Sequence, residues 1–304
     1  MAVHRAGFVS IAGRPNAGKS TLLNALIGEK LAITAPQAQT TRTSIQGVLT
    51  TPDAQIVFLD TPGIHKSDTL FNRRMMSTVR GALEDRDLVL YLADVTKPVT
   101  EEDEHAVSAL NKSAPAVLVL NKIDRMEDKR QMLPLIQRYQ ELFPWVASVP
   151  VSARRADGLD ELKRVITAHL PEGPALFPED YLTDQPMRFL AAEIIRERIL
   201  HATHEEVPHA VAVLIDTWEE SPRLVRIAAT IHVERPGQKT ILIGAKGQML
   251  KKIGSEARQE LERLLDRKVF LSLFVKVKPN WREDPEFLKA IDYRAMVGSE
   301  DSPK

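Results

Sequence analysis

The chain has 304 residues, with 41 Lys+Arg balanced by 41 Asp+Glu; its total charge therefore singles out no partner, and its length allows two domains. With no cysteine it can hold no disulfide, no thiolate metal site and no cysteine nucleophile, which suits a reducing compartment. No apolar run nears the roughly 18–20 residues that span a bilayer, and Met1–Ala6 lacks the apolar core of a signal peptide, so a soluble or at most peripherally attached protein is expected.

In chain order, the apolar run Gly7–Ala12 reads as a buried strand and Ser20–Gly28 as a helix. Between them Gly13-Arg14-Pro15-Asn16-Ala17-Gly18-Lys19-Ser20 satisfies G-x-x-x-x-G-K-[ST], with Thr21 next. Strand, glycine loop and helix form a phosphate cradle. Backbone N–H groups and the helix N-terminus face the phosphates, Lys19 reaches the β and γ oxygens, and the Ser20 hydroxyl binds magnesium. Leu31–Arg42 reads as an irregular segment. Its Gln39-Thr40-Thr41-Arg42 offers a threonine hydroxyl to complete magnesium coordination when the γ-phosphate is present, Thr41 being favoured over Thr40.

Thr43–Thr51 and Ala54–Asp60 are strands split by Pro52-Asp53 and should be the one antiparallel pair. Asp60-Thr61-Pro62-Gly63 closes the second of them. A carboxylate there can hold magnesium through a water, and Gly63 can bring its N–H to the γ-phosphate because no side chain blocks it. The near-continuous apolar strands Asp87–Asp94, Pro115–Asn121 and Val146–Val151 alternate with helical stretches, which predicts a mostly parallel sheet wrapped by helices. Asn121-Lys122-Ile123-Asp124 ends one of these strands. The Asp124 carboxylate can accept from both guanine N1–H and the N2 amino group, neither of which adenine carries, and sites of that kind discriminate by about 10⁴–10⁵. Asn121 should tie this turn to the phosphate loop, and the Lys122 stem should lie along the base. In Ser152-Ala153-Arg154 the Ala153 N–H is the expected donor to guanine O6. A glutamine directly after a D-x-x-G of this kind can orient an attacking water, but Ile64 stands here. Hydrolysis by the isolated protein should therefore be slow, with water placed by backbone, magnesium or a partner. His65 reads as a solvated side chain rather than a substitute base.

Three prolines within Pro171–Pro178 break the pattern. They divide the chain into a nucleotide-binding domain (1–172), a Pro-rich linker (173–186) and a second domain (187–304). In the second domain a helix (Pro186–His201), two strands (Ala210–Thr217 and Arg223–Glu234), a helical pair around Gly244–Gly247 and a strand (Lys268–Lys278) read as α+β. The turn Ile243-Gly244-Ala245-Lys246-Gly247 is a G-x-x-G between apolar helices, where backbone can lie against single-stranded nucleic acid in the KH manner. Lys239–Arg282 carries 11 basic residues against four acidic ones, an electrostatic footprint for phosphate. Phosphate contact is assigned first to Lys246, Lys251 and Lys252. Arg258, Arg263 and Arg267 should pair with Glu256, Glu260, Glu262 and Asp266. His201, His204 and His209 lack zinc spacing, and Trp145, Trp218 and Trp281 read as core or interface residues.

The five nucleotide motifs resemble those of translation-factor-class GTPases, and the loop Gly13–Ser20 with Thr40-Thr41-Arg42 resembles the bacterial Era/TrmE/EngA branch. With the linker phrase 177–186 and Phe274–Arg282, the resemblance extends to the Era family over nearly the whole chain. It implies an α/β P-loop GTPase domain followed by an α+β type II KH domain. It implies GTP and GDP with Mg²⁺ as ligands, K⁺ held with the help of Asn16, and hydrolysis served by Lys19, Thr41, Asp60 and Gly63. It further implies a monomeric ribosome-assembly protein of the cytoplasm that binds the 3′ end of small-subunit ribosomal RNA on the small ribosomal subunit. Peripheral contact with the cytoplasmic membrane and nucleotide-switched RNA binding complete the expectation.

Overall fold

The structure is a computed structural model that describes residues 4–35, 40–63, 69–83, 86–111, 114–205 and 207–292. They divide into two compact units, one running to Asp184 and the other from Gln185, with Ala35 and Thr69–Phe71 grouped with the second.

In the first unit the elements are β1 (Arg5–Gly13), α1 (Lys19–Ile27), β2 (Ile45–Thr50), β3 (Ala54–Asp60), α2 (Leu70–Leu83), β4 (Leu88–Asp94), α3 (Glu101–Ser108), β5 (Ala116–Asn121), α4 (Met132–Leu142), β6 (Ala147–Val151) and α5 (Leu159–His169). The six strands form one sheet in the order β2-β3-β1-β4-β5-β6. Only the β2–β3 pair is antiparallel; the other pairs are parallel. Every residue of β3, β4 and β5 is buried, as a sheet covered on both faces requires. Pro150 is tolerated because β6 is an edge strand. One face packs Val9, Ile11, Leu22, Leu26, Phe58 and Leu90 together, and the other packs Tyr91, Leu118, Val107 and Tyr139; each such side chain contributes about 1.5–3 kcal/mol. The parallel register sets Ile11 opposite Asp60 and Asp94 opposite Asn121. Carboxyl ends of neighbouring strands, with their motif residues, therefore share one edge of the sheet, where open α/β sheets bind ligands.

The Pro-rich stretch is not a free tether. Gln55, fully buried in β3, accepts the Leu176 and Phe177 N–H groups at 2.6 and 2.8 Å and donates to Phe177 O at 2.9 Å. Leu182 O then accepts the Val48 N–H at 2.8 Å on the open edge of β2. Residues 176–183 are thus strapped along the first unit.

In the second unit α6 (Met187–Ala202) and the short α7 (Val207–Ala210) precede β7 (Ala212–Glu220) and β8 (Leu224–Val233). Then come α8 (Pro236–Ile243), α9 (Gln248–Leu265), β9 (Lys268–Val277) and α10 (Pro285–Ala290). The sheet order is β7-β8-β9, antiparallel then parallel. Apolar faces of α6, α8 and α9 pack on one side of it through Ile195, Ile199, Leu242, Ile253, Ala257 and Leu261. The helix–strand–strand–helix–helix–strand order is that of a type II KH domain. Trp281 is fully buried and donates to Ala210 O at 2.9 Å.

Candidate functional site

The first residues of α1 are Lys19 and Ser20, both buried. Lys19 Nζ donates to Gly13 O at 3.1 Å and Arg14 O at 2.9 Å, curling the loop over its own lysine. Burial pushes the Lys19 ammonium down to about 8 against the opposing pull of Asp60. Burial pushes the Asp60 carboxyl up, and Lys19, Ser20 and Thr41 pull it back.

Three hard oxygens converge beside this lysine. Ser20 Oγ lies 2.7 Å from both Thr41 Oγ1 and Asp60 Oδ2, and Thr41 Oγ1 is 3.0 Å from Asp60 Oδ2. Asp60 is fully buried, and its Oδ1 has no hydrogen-bond partner among the described residues. An orphaned buried carboxylate oxygen beside two hydroxyls fits a small divalent cation that demands oxygen ligands. Of the two candidate threonines, Thr41 is the one these contacts include.

Thr61 anchors the following turn, its hydroxyl donating to Ile11 O at 2.8 Å, and Pro62 and Gly63 are buried after it. A Cβ on Gly63 would stand 2.9 Å from the Pro15 nitrogen, so only glycine lets this turn lie against the phosphate loop. Ile64 and His65 lie outside the described residues.

Asn121 joins three motifs. Its Nδ2 donates to Ala17 O at 2.8 Å and its Oδ1 accepts the Ala153 N–H at 3.0 Å. Ala153 thus spends its N–H on Asn121, and a guanine O6 would have to share that donor. Lys122, in a left-handed conformation (φ 72°), donates to Asn16 O at 2.7 Å and to Asp94 Oδ2 at 2.6 Å. Burial alone would raise the Asp94 carboxyl, but bonds from Lys122 and Thr96 outweigh it and hold it below the usual range. Asp124 Oδ1 accepts from Ser152 Oγ at 2.7 Å, and that bond keeps the carboxyl ionised by lowering its pKa. Asp124 is half-buried rather than enclosed; the stacked base itself would have to complete its desolvation. A cleft lined by Gly18, Thr21, Asn121, Lys122, Asp124, Ala153 and Arg154 opens here. The Arg14 side chain takes no part in it: its Nε is 2.9 Å from Asp103 Oδ1 on α3. Asp94 and Asp103 were not legible as site residues; a carboxylate ending the apolar run Leu88–Asp94 was the available signal for the first.

In the second unit Gly244 (φ 70°) and Gly247 (φ 77°) bracket the turn between α8 and α9, with Lys246 exposed at φ 50°. A Cβ on Gly244 would come within 2.7 Å of the Met249 Cβ, which is why this corner needs glycine. A groove beside the turn is lined by Gly247, Leu250, Lys251, Gly254, Ser255, Arg258, Leu271 and Leu273. Gly247 and Lys251 are therefore brought to it, while Lys246 and Lys252 stand exposed nearby. Leu271 and Leu273 arrive from β9, beyond the reach of a local motif. Arg258 pairs with Glu262 at 3.0 Å as expected, but Arg267 pairs with Glu220 and Glu260 with Arg198, partners that the sheet and α6 supply across the fold.

Family models match both halves of the chain: one described as a 50S ribosome-binding GTPase over residues 8–122, and a KH domain over residues 206–282. A protein of Geobacter metallireducens called GTPase Era is 49% identical, covering 95% of this chain and 98% of its own. A crystal structure of an Aquifex aeolicus Era variant bound to GDP·AlF₄⁻ superposes with a TM-score of 0.91 at 43% identity, over 95% of this chain and 99% of that one. Another, of Era with MgGDPNP and nucleotides 1506–1542 of 16S ribosomal RNA, gives 0.92 at 43% identity with the same coverage.

Proposed function

This chain belongs to the Era family of GTPases, and we propose that it couples GTP hydrolysis to binding of the 3′ end of small-subunit ribosomal RNA during assembly of that subunit. The observation that carries the nucleotide half is the Asn121 carboxamide, which binds Ala17 and Ala153 at once and so holds the phosphate loop and the base-reading turn as one site. In this reading residues 1–172 form the GTPase domain, 173–186 the linker and 187–304 the RNA-binding domain.

Gly13–Thr21 and Thr61-Pro62 wrap the phosphates, and Lys19 exchanges its loop carbonyls for β and γ oxygens. Asp124 takes guanine N1–H and N2–H. Ser20 and Thr41, with Asp60 through a water, hold Mg²⁺, which when bound neutralises charge between the β- and γ-phosphates. The Gly63 N–H faces the γ-phosphate. An isoleucine at 64 has no polar atom with which to orient water, so turnover without a partner is slow. Asn16, exposed at φ 63°, helps hold K⁺ at the same phosphates in this reading, and hydrolysis rates in potassium and sodium buffers should differ.

On the second unit, Ile243, Gly244, Ala245, Lys246 and Gly247 bring backbone to about four nucleotides, with Lys251 and Lys252 on their phosphates. Support comes from the basic excess, from the groove beside the turn and from the 16S RNA held by the Era of known structure. The protein acts as a monomer in the cytoplasm. Contact with the cytoplasmic membrane in this reading is peripheral. Among the described residues no helix is long and apolar enough to cross a membrane.

The test is fluorescence anisotropy with a labelled oligonucleotide of the 16S 3′ terminus. Lys251→Ala should weaken binding several-fold and flatten its salt dependence by about 0.7 in log–log slope. Unchanged binding by the Lys246→Ala/Lys251→Ala double variant would remove the RNA assignment.

A further inference from the structure

We propose that Asp103 is a positioning residue of the GTPase site, acting through Arg14 to hold the phosphate loop in shape. The proposal rests on the reading of Gly13–Ser20 as that loop. Arg14 is its second residue, and its carbonyl is one of the two that accept Lys19 Nζ, at 2.9 Å, while also taking the Ala17 N–H. Where this carbonyl stands therefore decides where the lysine stands. The Arg14 guanidinium is fixed at two points from outside the loop: Nε against Asp103 Oδ1 at 2.9 Å, and Nη1 donating to Thr100 Oγ1 at 2.8 Å. A planar fork held at two points has little freedom to turn.

Asp103 is itself enclosed. Its side chain is 1% exposed, a costly place for a carboxylate unless donors surround it. They do: Oδ1 also accepts from the Tyr139 hydroxyl at 2.8 Å and the Tyr91 hydroxyl at 3.4 Å, and Oδ2 accepts from the Thr100 N–H at 2.9 Å. Burial raises both tyrosine hydroxyls far above their usual range, so each remains a donor at any physiological pH. The Thr100 bonds alone would make Asp103 an ordinary member of the capping box that starts α3. Oδ1 has no part in that cap. It collects Arg14 and two tyrosines from β4 and α4, tying the loop to a rigid flank away from the nucleotide cleft.

A double-mutant cycle on the full-length protein tests this, with kcat and KM for GTP and the thermal midpoint as readouts. Asp103→Asn should lower kcat/KM roughly tenfold. In an Arg14→Gln background the same change should cost less than about twofold more, although the thermal midpoint falls in both backgrounds because the amide turns one of the two acceptor oxygens into a donor in either. Tyr139→Phe removes a donor from the same carboxylate but leaves Arg14 in place, so its kcat/KM should stay within about twofold of wild type. Multiplicative losses in the cycle, or a Tyr139→Phe defect equal to that of Asp103→Asn, would reduce Asp103 to a helix cap and overturn the proposal. Should Asp103→Asn not fold, Arg14→Lys interrogates the contact from its other side: the charge stays and the two-point fork goes. A matching drop in kcat/KM supports the proposal and an unchanged value overturns it. Lys19→Ala must abolish turnover; if it does not, the loop is misassigned and the proposal fails with it.

Discussion

At the scale of single residues, the guanine recognition proposed here turns on what Asp124 can accept. Its carboxyl is kept ionised by Ser152 Oγ at 2.7 Å, so it offers only lone pairs, and a purine must bring two hydrogens. Asp124→Asn turns a donor toward those hydrogens and removes two charge-assisted bonds, each worth about 1.5–3 kcal/mol. GTP affinity should fall at least 100-fold by calorimetry. A xanthine nucleotide, with a carbonyl where guanine has its amino group, should bind the variant better than GTP does. Retained guanine preference in the variant would dismiss Asp124 as the discriminator. Asp94 works one step back by holding Lys122 at 2.6 Å. Its carboxyl lies below its unfolded value, so the stability it contributes is complete above the ordinary aspartate range near pH 4 and fades as pH falls through the lower folded value. Asp94→Asn should therefore cost about 1–3 kcal/mol from pH 5 to 8, and the gap from wild type should close in more acidic buffer. A gap that widens on acidification would contradict the assignment.

At the scale of elements, the reading of the chain succeeded where the signal was local and stopped where it was not. Buried strands announce themselves as apolar runs, and the motifs at their ends follow from chain order, so β3 with Asp60 and β5 with Asn121 were legible. Gln55 was not. A glutamine in an apolar strand carries no hint of the segment more than a hundred residues later whose N–H groups it accepts. The proline-rich stretch consequently packs with the first unit as far as Asp184, because proline content reports the end of regular structure and not the end of packing. Likewise Leu271 and Leu273 read as ordinary alternation in β9, and only the fold brings them to the G-x-x-G groove. Gln55→Ala strands the Leu176 and Phe177 N–H groups and opens a gap in β3, a loss of about 2–4 kcal/mol. Unfolding should shift accordingly, and limited proteolysis should cut within 173–184 earlier than in wild type. Equal cleavage rates would mean that the strap owes nothing to Gln55.

For the molecule as a whole, a net charge of zero conceals a basic stretch in the second unit and a nucleotide site in the first. What matters is whether the two sites share free energy. In the proposed site Thr41 and Gly63 belong to segments that would contact the cation and the γ-phosphate, so a γ-phosphate would favour one arrangement of them over another, and such coupling is typically worth 5- to 150-fold. Linkage then makes a strict demand. If a non-hydrolysable GTP analogue tightens the 16S 3′-terminal oligonucleotide by some factor relative to GDP, that oligonucleotide must raise the analogue-to-GDP affinity ratio by the same factor. Anisotropy of the labelled RNA and calorimetry of the nucleotides measure the two sides independently. Equal factors of at least about fivefold establish the switch. RNA affinities that match in the GDP and analogue states would leave a GTPase and an RNA groove standing on one chain without communication, and hydrolysis would then need another reason to be there.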